Sequence, residues 1–216
     1  MIKKIKIQSP KISSNLYKYS SEEIIESVCN YETIEDALIE DEDIQDINDI
    51  NVRLNGCIFK NVVFENCDFR KIDMVDIIFE NCDLSNINFS DSGIYRVEFI
   101  NCKLTGSVFN DCTIKSVSFK ESMARYSNFA FSKFKGVNLV NSDFAYSVFQ
   151  EVDNCSITIN NTNLTKAIFT GMNLENIDFT TNNIEGIELN LKDVKGGIFS
   201  MEQAIDLTKL MGIFIK

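Results

Sequence analysis

Residues 79–109, FENCDLSNINFSDSGIYRVEFINCKLTGSVF, carry a large apolar residue at every fifth position. The same five-residue frame extends from Leu54 to Val194, and of its 29 positions only Ala124 and Asn154 are not Leu, Ile, Phe, Met or Val. Neither the 3.6-residue period of a helix nor the two-residue period of a strand produces such a frame. The chain is therefore built from five-residue repeats.

Phenylalanine is unevenly distributed along this frame. If four repeats make one coil of 20 residues, the coil has four sides, which we name faces 1 to 4 and which are centred on residues 74, 79, 84 and 89. Phe occupies 11 of 14 frame positions on the opposed faces 2 and 4, but 3 of 15 on the other two. The pattern predicts an all-β solenoid with an interior of stacked Phe rings. With neighbouring coils paired at ~4.8 Å, about seven coils would form a rod of roughly 35 Å.

Two further columns accompany the frame. Two residues before it stand small or β-branched residues, among them five cysteines that we interpret as core residues: Cys57, Cys67, Cys82, Cys102 and Cys112. Between these columns Asp and Asn recur, and we expect them to form turn and corner hydrogen bonds. Cys155, beside the break at Asn154, is expected to be the one accessible thiol.

The ends of the chain depart from the repeats and predict three segments. Residues 1–43 form an acidic amino-terminal segment or cap, residues 44–199 the β-helix, and residues 200–216 a carboxyl-terminal α-helix with its tail. Ser20–Val28 reads as a short capped helix. Ser200 and Gln203 form a capping box, and the final helix should stop at Gly212. The apolar tail either plugs the last coil or makes a two-fold dimer contact. Its candidate dimerisation residues are Ile205, Leu207, Leu210, Met211, Ile213, Phe214 and Ile215.

Composition argues against several classes of function. The chain has no His, the residue that most often shuttles protons or binds metals near neutral pH, and no phosphate-loop, nucleophile-elbow or dinucleotide motif. We therefore predict no enzymatic activity, no cofactor and no metal site. The sequence shows no membrane-length apolar segment and no signal peptide, so a cytoplasmic location with reduced thiols is expected. The net charge of −11 argues against nucleic acid or anionic membrane as a ligand and favours a basic protein partner.

The repeats resemble the pentapeptide-repeat proteins over about residues 44–216. A narrower resemblance is to the Qnr-type quinolone-resistance proteins of Gram-positive bacteria. It is carried by FENCDLSNINF (79–89), YRVEFINCKLTGSVF (95–109), NLTKAIF (163–169) and EQAIDLTKLMGIFIK (202–216). The resemblance implies a right-handed quadrilateral β-helix and a homodimer joined through the carboxyl-terminal helices. It also implies an acidic rod that imitates duplex DNA, binds DNA gyrase or topoisomerase IV, and protects the enzyme from fluoroquinolones.

Protection and binding are separate expectations for this chain. Some Qnr-type proteins carry loops that project from the coil and contribute to protection. Here the frame runs unbroken from 54 to 194 and leaves no such loop, as in the loop-free members. An alternative function is that of a structural or scaffolding repeat protein with an unrelated protein partner, because this fold alone does not determine what its surface binds.

The charge along the chain limits how far the rod can imitate DNA. Residues 51–195 carry a net charge of −4, whereas ~35 Å of duplex carries roughly 20 negative charges, so any mimicry must be local. The most acidic side is face 4, with a net charge of −3. The predicted acidic stripe, which either binds a partner or only keeps the rod soluble, combines one column from face 4 with residues of face 2: Asp91, Asp111 and Glu151, then Glu80, Glu98 and Glu121.

Overall fold

The computed structural model of the chain describes residues 6–48 and 52–213. The repeats wind into a right-handed, four-sided solenoid of parallel strands, followed by a short helix. The helices in these ranges are α1 (Ser21–Cys29) and α2 (Met201–Leu207), and a 3₁₀ turn (Thr208–Met211) follows α2. The strands there are β1 (Tyr17–Lys18), β2 (Thr33–Glu35), β3 (Ala37–Glu40), β4 (Asp43–Gln45), β5 (Arg53–Asn55), β6 (Ile58–Lys60), β7 (Val63–Glu65), β8 (Asp73–Glu80), β9 (Gly93–Ile100), β10 (Thr113–Lys120), β11 (Lys133–Val140) and β12 (Asp153–Asn160).

Neighbouring coils pair in parallel with an offset of 20 residues. Thr113 of β10 lies opposite Gly93 of β9 and Lys133 of β11. The bridge between Val108 and Asn128 shows the same offset on face 4. Parallel pairing in this register places residues 20 apart in columns along the rod, with a rise of about 4.8 Å per coil. The 20-residue coil predicted from the Phe pattern is therefore confirmed.

The four faces differ in backbone conformation. Faces 1 and 2 are continuous, because each of the strands β8 to β11 turns the corner between them within its eight residues. Apart from the β4–β7 pair on face 3, faces 3 and 4 pair with the next coil through isolated bridges. Each also closes with tight turns such as the bond from the Ser107 N–H to the Leu104 carbonyl (3.1 Å). Hydrogen bonds between coils satisfy the main chain along the rod.

Each of the five repeat positions has its own role. The frame residue and the residue two before it face the interior, and the residues on either side of the frame residue face solvent. The fifth residue forms the corner in the left-handed region, as at Asn81 (φ 56°) and Asn101 (φ 51°), which Asn and Asp tolerate better than most residues. The Asp or Asn before the frame residue accepts a backbone bond, as Asp83 does from the Ser85 N–H (3.1 Å). The turn role predicted for that column is confirmed.

The interior consists of two perpendicular sets of stacked Phe rings. On face 2 the rings of Phe99 and Phe119 stack at 4.8 Å, and on face 4 those of Phe109 and Phe129 stack at 4.8 Å. Across the interior Phe119 meets Phe129 edge-on at 5.8 Å and 83°. Stacked and edge-to-face pairs are the arrangements that aromatic rings prefer. The two Phe-rich sides identified in the sequence therefore form one continuous core.

The small residues of the second inward column hydrogen-bond to the coil before them. The Cys102 thiol donates to the Phe79 carbonyl at 3.4 Å, and the Ser132 hydroxyl donates to the Phe109 carbonyl. All five cysteines predicted for the core are buried. Burial raises the pKa of the Cys57 thiol to about 11 and that of Cys112 to about 12, because a desolvated thiolate is unfavourable. The five buried cysteines serve as core residues.

The coil begins before residue 44, where the sequence pattern placed its start. Strands β2, β3 and β4 pair with β5, β6 and β7 at the same offset of 20. Ile34 and Ile39 are buried frame residues, so the repeat occupies much of the second half of the segment 1–43. The acidic residues between these isoleucines concealed the repeat, because they lie at outward and corner positions such as Asp36 (φ 47°).

The helix α1 closes the amino-terminal end of the rod. The capped helix predicted there starts at a capping box, in which Ser20 accepts from the Glu23 N–H and the Glu23 side chain accepts from the Ser20 N–H. Its buried residues Ile24 and Val28 belong to the same apolar cluster as the coil interior. A helix with one apolar face thus covers the open end of the first coil.

The frame breaks at Asn154, as the sequence indicates. Phe134 of β11 pairs with Asn154 of β12, Lys135 then pairs with Ser156, and the offset of 20 returns where Val137 pairs with Ile157. This local β-bulge leaves Cys155 unpaired in the ladder but adds no residue to the coil. The side-chain oxygen of Asn154 is buried and has no hydrogen-bond partner in the part of the chain that the structure describes.

The helix α2 closes the carboxyl-terminal end. Ser200 and Gln203 form the predicted capping box, and the chain turns out of its 3₁₀ extension at Gly212 (φ 71°), where the sequence placed the stop. The Gln203 side-chain amide also donates to the carbonyls of Phe179 and Asn182, each at 2.9 Å. The helix therefore satisfies carbonyl groups that the last coil leaves open. Neither α1 nor α2 has the length and run of apolar residues needed to cross a membrane.

Candidate functional site

The corner residues form four edges along the rod, and one edge carries the main acidic column. Asp91 (φ 62°), Asp111 (φ 58°) and Glu151 (φ 53°) are exposed corner residues between faces 4 and 1. Their N–H groups bond to carbonyls of the next coil, as Asp91 does to Asn110 at 2.9 Å. These hydrogen bonds therefore fix the backbone position from which each carboxylate side chain extends. We call these three residues the acidic edge.

The acidic edge is not a continuous row of carboxylates. Lys71 precedes Asp91 in the column, and Phe131 lies between Asp111 and Glu151. After Glu151 comes Gly171 (φ 81°), and a Cβ at that glycine would collide with the Glu151 carboxylate. The glycine thus gives Glu151 room to fold along the rod. Only Asp91 and Asp111 occupy adjacent coils.

The structure separates the predicted acidic stripe into two groups. Glu121 lies on the edge between faces 2 and 3, diagonally opposite the acidic edge; Glu80 lies beside that edge and Glu98 on the outer surface of face 2, so the stripe is not one surface. The Glu98 side chain is 16% exposed and forms an ion pair with Lys120 at 2.7 Å, which neutralises it. Glu80 is half-buried, whereas Glu121 is exposed.

The edge around Glu121 is mainly a ladder of asparagines. Amide side chains bond from one coil to the next, as Asn81 does to Asn61 (3.2 Å) and Asn101 does to Asn81 (2.8 Å). Glu121 (φ 52°) replaces an Asn in this row. A single carboxylate in a column of asparagines adds little negative charge to this edge.

Sequence reasoning missed a buried ion pair at the corner between faces 1 and 2. The Arg96 guanidinium forms a bidentate pair with Asp76, and both side chains are largely buried. The Lys11 N–H also donates to Asp76 at 2.8 Å, and Tyr95 donates to Gln8 at 2.9 Å. Burial opposes ionisation of Asp76, but the bonds from Arg96 and Lys11 outweigh it and hold the pKa of that carboxyl below its usual value. Asp76 and Arg96 are 20 residues apart, so the predicted coil already places these opposite charges next to each other on adjacent coils.

Three lysines on face 1 were also missed. Lys115 and Lys135 occupy directly paired positions on neighbouring strands, and Lys133 lies two residues after Phe131 of the acidic-edge column. Like charges in paired positions destabilise a sheet. Together with Lys71, these lysines confine the negative potential to a short length of the acidic edge. This agrees with the limit that net charge placed on DNA mimicry.

The cysteine prediction needs one correction. Cys155 is exposed at the β-bulge, as expected, but Cys29 at the end of α1 is exposed as well, so Cys155 is not the one accessible thiol. Within residues 6–48 and 52–213 no group of three His, Cys, Asp or Glu side chains is placed to hold a metal ion.

The predicted dimerisation residues divide into three groups. Leu207 is partly buried against the core, so it anchors α2 to the rod. Four other apolar side chains of the same segment are exposed: Ile205, Leu210, Met211 and Ile213. Phe214 and Ile215 lie outside the described residues. The segment thus presents an apolar surface, and nothing in the described residues covers it.

Comparison with known families agrees with this architecture. A family model described as a pentapeptide repeat region matches residues 72–149, and one for pentapeptide repeats matches residues 160–190. The chain is a pentapeptide-repeat protein. A further model, for the SV2A/B/C luminal domain, matches residues 17–109, which contain strands β1 to β9. No curated protein matches the chain.

Solved structures of similar proteins share the solenoid at low identity. Full-length QnrB1, a plasmid-mediated fluoroquinolone resistance protein, is 17% identical, covers 84% of this chain and 99% of its own, and gives a TM-score of 0.42. HetL, a pentapeptide repeat protein involved in heterocyst differentiation regulation from the cyanobacterium Nostoc sp. strain PCC 7120, is 12% identical, with coverages of 84% and 97% and a TM-score of 0.39. At such identities the similarity extends to the fold alone.

Proposed function

We propose that this pentapeptide-repeat protein is a non-catalytic binding protein. On this proposal its acidic edge contacts a type II topoisomerase, DNA gyrase or topoisomerase IV, on a surface that the enzyme uses for DNA. The observation that carries the proposal is the pair Asp91 and Asp111, exposed on adjacent coils of one edge. Because the main chain fixes both corners, the backbones from which these two carboxylates extend stand about 4.8 Å apart, and little main-chain ordering is needed on binding.

A function confined to the surface is supported by the filled interior. The largest fully buried side chains are all Phe, among them Phe99, Phe109 and Phe119, and they leave no space for a ligand along the rod. Under α1 the apolar cavity beside Ile24 and Val28 measures only about 20 Å³, about the space of one water molecule.

The choice of a topoisomerase rests on the acidic edge together with the resemblance of four sequence segments to Qnr-type proteins. The face 1 lysines make the acidic edge a short patch, so it would replace a few phosphates and not a full turn of duplex. Protection from fluoroquinolones is a further step of the proposal. It requires that binding also clears or prevents the drug complex.

A supercoiling assay tests the proposal. Purified protein is titrated into gyrase and topoisomerase IV reactions with and without ciprofloxacin, and binding is measured in parallel at several salt concentrations. Rescue from the drug supports binding with protection, and inhibition without rescue supports binding in competition with DNA. Absence of both binding and any effect would contradict the proposal and favour a scaffolding role.

Two matched charge reversals locate the contact. Asp111→Lys and Glu121→Lys make the same change of charge at corners of the same left-handed conformation (φ 58° and 52°), on diagonally opposite edges. Lys already occupies such a corner at Lys71 (φ 61°), so both variants should fold. Asp111→Lys should weaken binding about tenfold or more, and most strongly at low salt. Equal effects of the two variants would contradict the assignment to the acidic edge.

We also propose that two copies join through α2 and the segment that follows it. Exposed Ile205, Met211 and Ile213 would then be buried against the same residues of a second copy. Sedimentation velocity should show a dimer of the 24.6 kDa chain. Ile205→Glu should give a monomer, while Met123→Glu, also exposed but distant in the sequence, should not. A monomeric wild-type protein would rule out this interface.

A further inference from the structure

One stretch of face 4 is free of charge. Its outward positions between 108 and 170 hold four uncharged polar residues and four apolar ones: Val108, Val148 and Ile168, which are half-buried, and Ala130, which is buried. An ion pair of Arg70 with Asp68 precedes the stretch, and Glu188 follows it. In the same length of chain face 1 carries Lys115, Lys133 and Lys135. A flat, uncharged sheet surface is therefore bounded on all sides by charged residues.

Aromatic residues occupy the corners on both edges of this uncharged stretch. Tyr126 (φ 59°) and Tyr146 (φ 62°) lie between faces 3 and 4, and Phe131 (φ 62°) lies between faces 4 and 1. Bulky residues rarely adopt the left-handed conformation, in which most corners here use Asn, Asp or Gly. Tyr126 and Phe131 are also 54% and 53% exposed. Tyr126 and Phe131 therefore combine backbone strain with exposed apolar area, whereas Tyr146 is strained but half-buried.

The tyrosine edge is held in place by ring stacking and by two nearby cations, one of which, Arg125, is paired with Asp143 at 3.2 Å. The rings of Tyr126 and Tyr146 stack at 4.9 Å and 17°. The Arg125 guanidinium lies 5.5 Å from the centre of the Tyr146 ring, and the Lys166 ammonium lies at the same distance. Such cation–π contacts fix the rings without covering their outer surface.

The opposite edge carries negative charge. Phe131 lies in the acidic-edge column, between Asp111 and Glu151. Face 4 thus has an uncharged centre, a tyrosine edge with the ammonium group of Lys166 beside it, and an anionic phenylalanine edge. Protein interfaces commonly combine an apolar centre rich in aromatic residues with a charged rim.

We propose that face 4 between Tyr126, Tyr146 and Phe131 is the apolar centre of the partner interface, and that the acidic edge is its rim. The inference rests on the proposed function and adds where the topoisomerase is held. The partner surface should present apolar side chains to Val148 and its neighbours, with basic groups against the acidic edge and an acidic group against Lys166.

The dimensions of the stretch limit its share of the interface. Four coils span about 19 Å along the rod, and a five-residue side spans at most about 16 Å. The product, roughly 300 Å², is below the ~800 Å² that each partner contributes to a standard interface. Face 4 can therefore supply the anchoring residues but not the whole contact, which leaves room for the acidic edge.

The test replaces corner aromatics with asparagine, the residue that other corners of this chain use. Phe131→Asn and the double variant Tyr126→Asn/Tyr146→Asn should fold at least as stably as the wild type, as urea unfolding will check, because they relieve strain. Tyr31→Asn is the matched control, since Tyr31 is an 81% exposed corner aromatic (φ 57°) next to α1 and far from face 4. Binding of each full-length variant to the gyrase holoenzyme is measured across salt concentrations.

We expect Phe131→Asn and the tyrosine double variant to weaken binding about 30-fold or more, as loss of central aromatic anchors does. The loss should be nearly the same at low and high salt, unlike that of Asp111→Lys, and Tyr31→Asn should bind like the wild type. If the wild type binds and both aromatic variants bind equally well, this inference is wrong while the proposed function stands. If the wild type binds neither gyrase nor topoisomerase IV, both are wrong.

Discussion

Replacing Asn154 with leucine should make the rod more stable. Asn154 occupies a frame position, and the residues 20 before and after it in its column are Phe134 and Leu174, both fully buried. The Asn side-chain oxygen is buried without a hydrogen-bond partner in the described ranges. A leucine would restore the apolar column and remove an unpaired acceptor.

The size of the effect follows from two contributions. An unsatisfied buried acceptor costs about 1–3 kcal/mol, and burying a leucine side chain contributes about 1.5–3 kcal/mol. Because Asn154 is only half-buried, the second contribution is incomplete. We expect the free energy of unfolding to rise by about 2–4 kcal/mol. With a slope of about 3 kcal/mol per molar urea, the midpoint should rise by about 1 M.

Urea unfolding followed by circular dichroism measures the change, with Asn138→Leu as the control. Asn138 is an outward residue of face 2, so a leucine there adds apolar surface without filling the core. Its midpoint should stay close to that of the wild type. If Asn154→Leu left the midpoint unchanged or lowered it, the bulge at Cys155 would have to be stabilised by something other than tolerance of a misplaced Asn.

Further predictions concern the core, the buried ion pair and the thiols. Phe109→Ala removes a ring stacked at 4.8 Å on both sides and should lower the free energy of unfolding by about 3–5 kcal/mol in the same assay; a change below 1 kcal/mol would contradict the stacked core. Asp76→Asn leaves Arg96 without its carboxylate. Because the folded-state pKa of Asp76 is lowered, the stability that the pair provides is present above the unfolded-state value of about 3.9 and is lost as pH falls through the folded value. The wild type's advantage over Asp76→Asn should therefore disappear in acid, and a pH-independent difference would exclude this cause. A thiol reagent should modify Cys29 and Cys155 quickly in the native protein and the other cysteines only after unfolding; fast reaction of more than two would show that the core opens.

The fold was predictable because each side chain's role depends on its position within the five-residue repeat and within the 20-residue coil. The Phe pattern specified the 20-residue coil, and the structure pairs Phe99 with Phe119 in that register. The amino-terminal coil escaped notice because its frame residues Ile34 and Ile39 are not Phe and are surrounded by acids. An isoleucine every five residues over so short a segment is a weak signal beside a strong charge pattern.

The candidate site was predictable only in part. Spacing by 20 correctly placed Asp91 and Asp111 on one edge, because columns follow from register alone. The prediction that all six acids form one stripe was wrong because it ignored distance around the coil. Glu121 is ten residues, or half a coil, from Asp111 and therefore lies on the diagonally opposite edge. Neutralisation of Glu98 depends on the reach of Lys120 across 22 residues. Side-chain conformation decides such a contact, and the register does not reveal it.

The corners are the positions at which this fold makes function most visible. Inward positions are restricted by packing, and outward positions accept almost any residue, so neither distinguishes a binding residue from a neutral one. A corner instead penalises most residues other than Gly, Asn and Asp. Arg96 gains a compensating contact within the chain, the buried pair with Asp76, whereas Phe131 is exposed. On the proposal above, the bound protein supplies the compensating contact of Phe131, which separates it from the equally strained Tyr31 of the control.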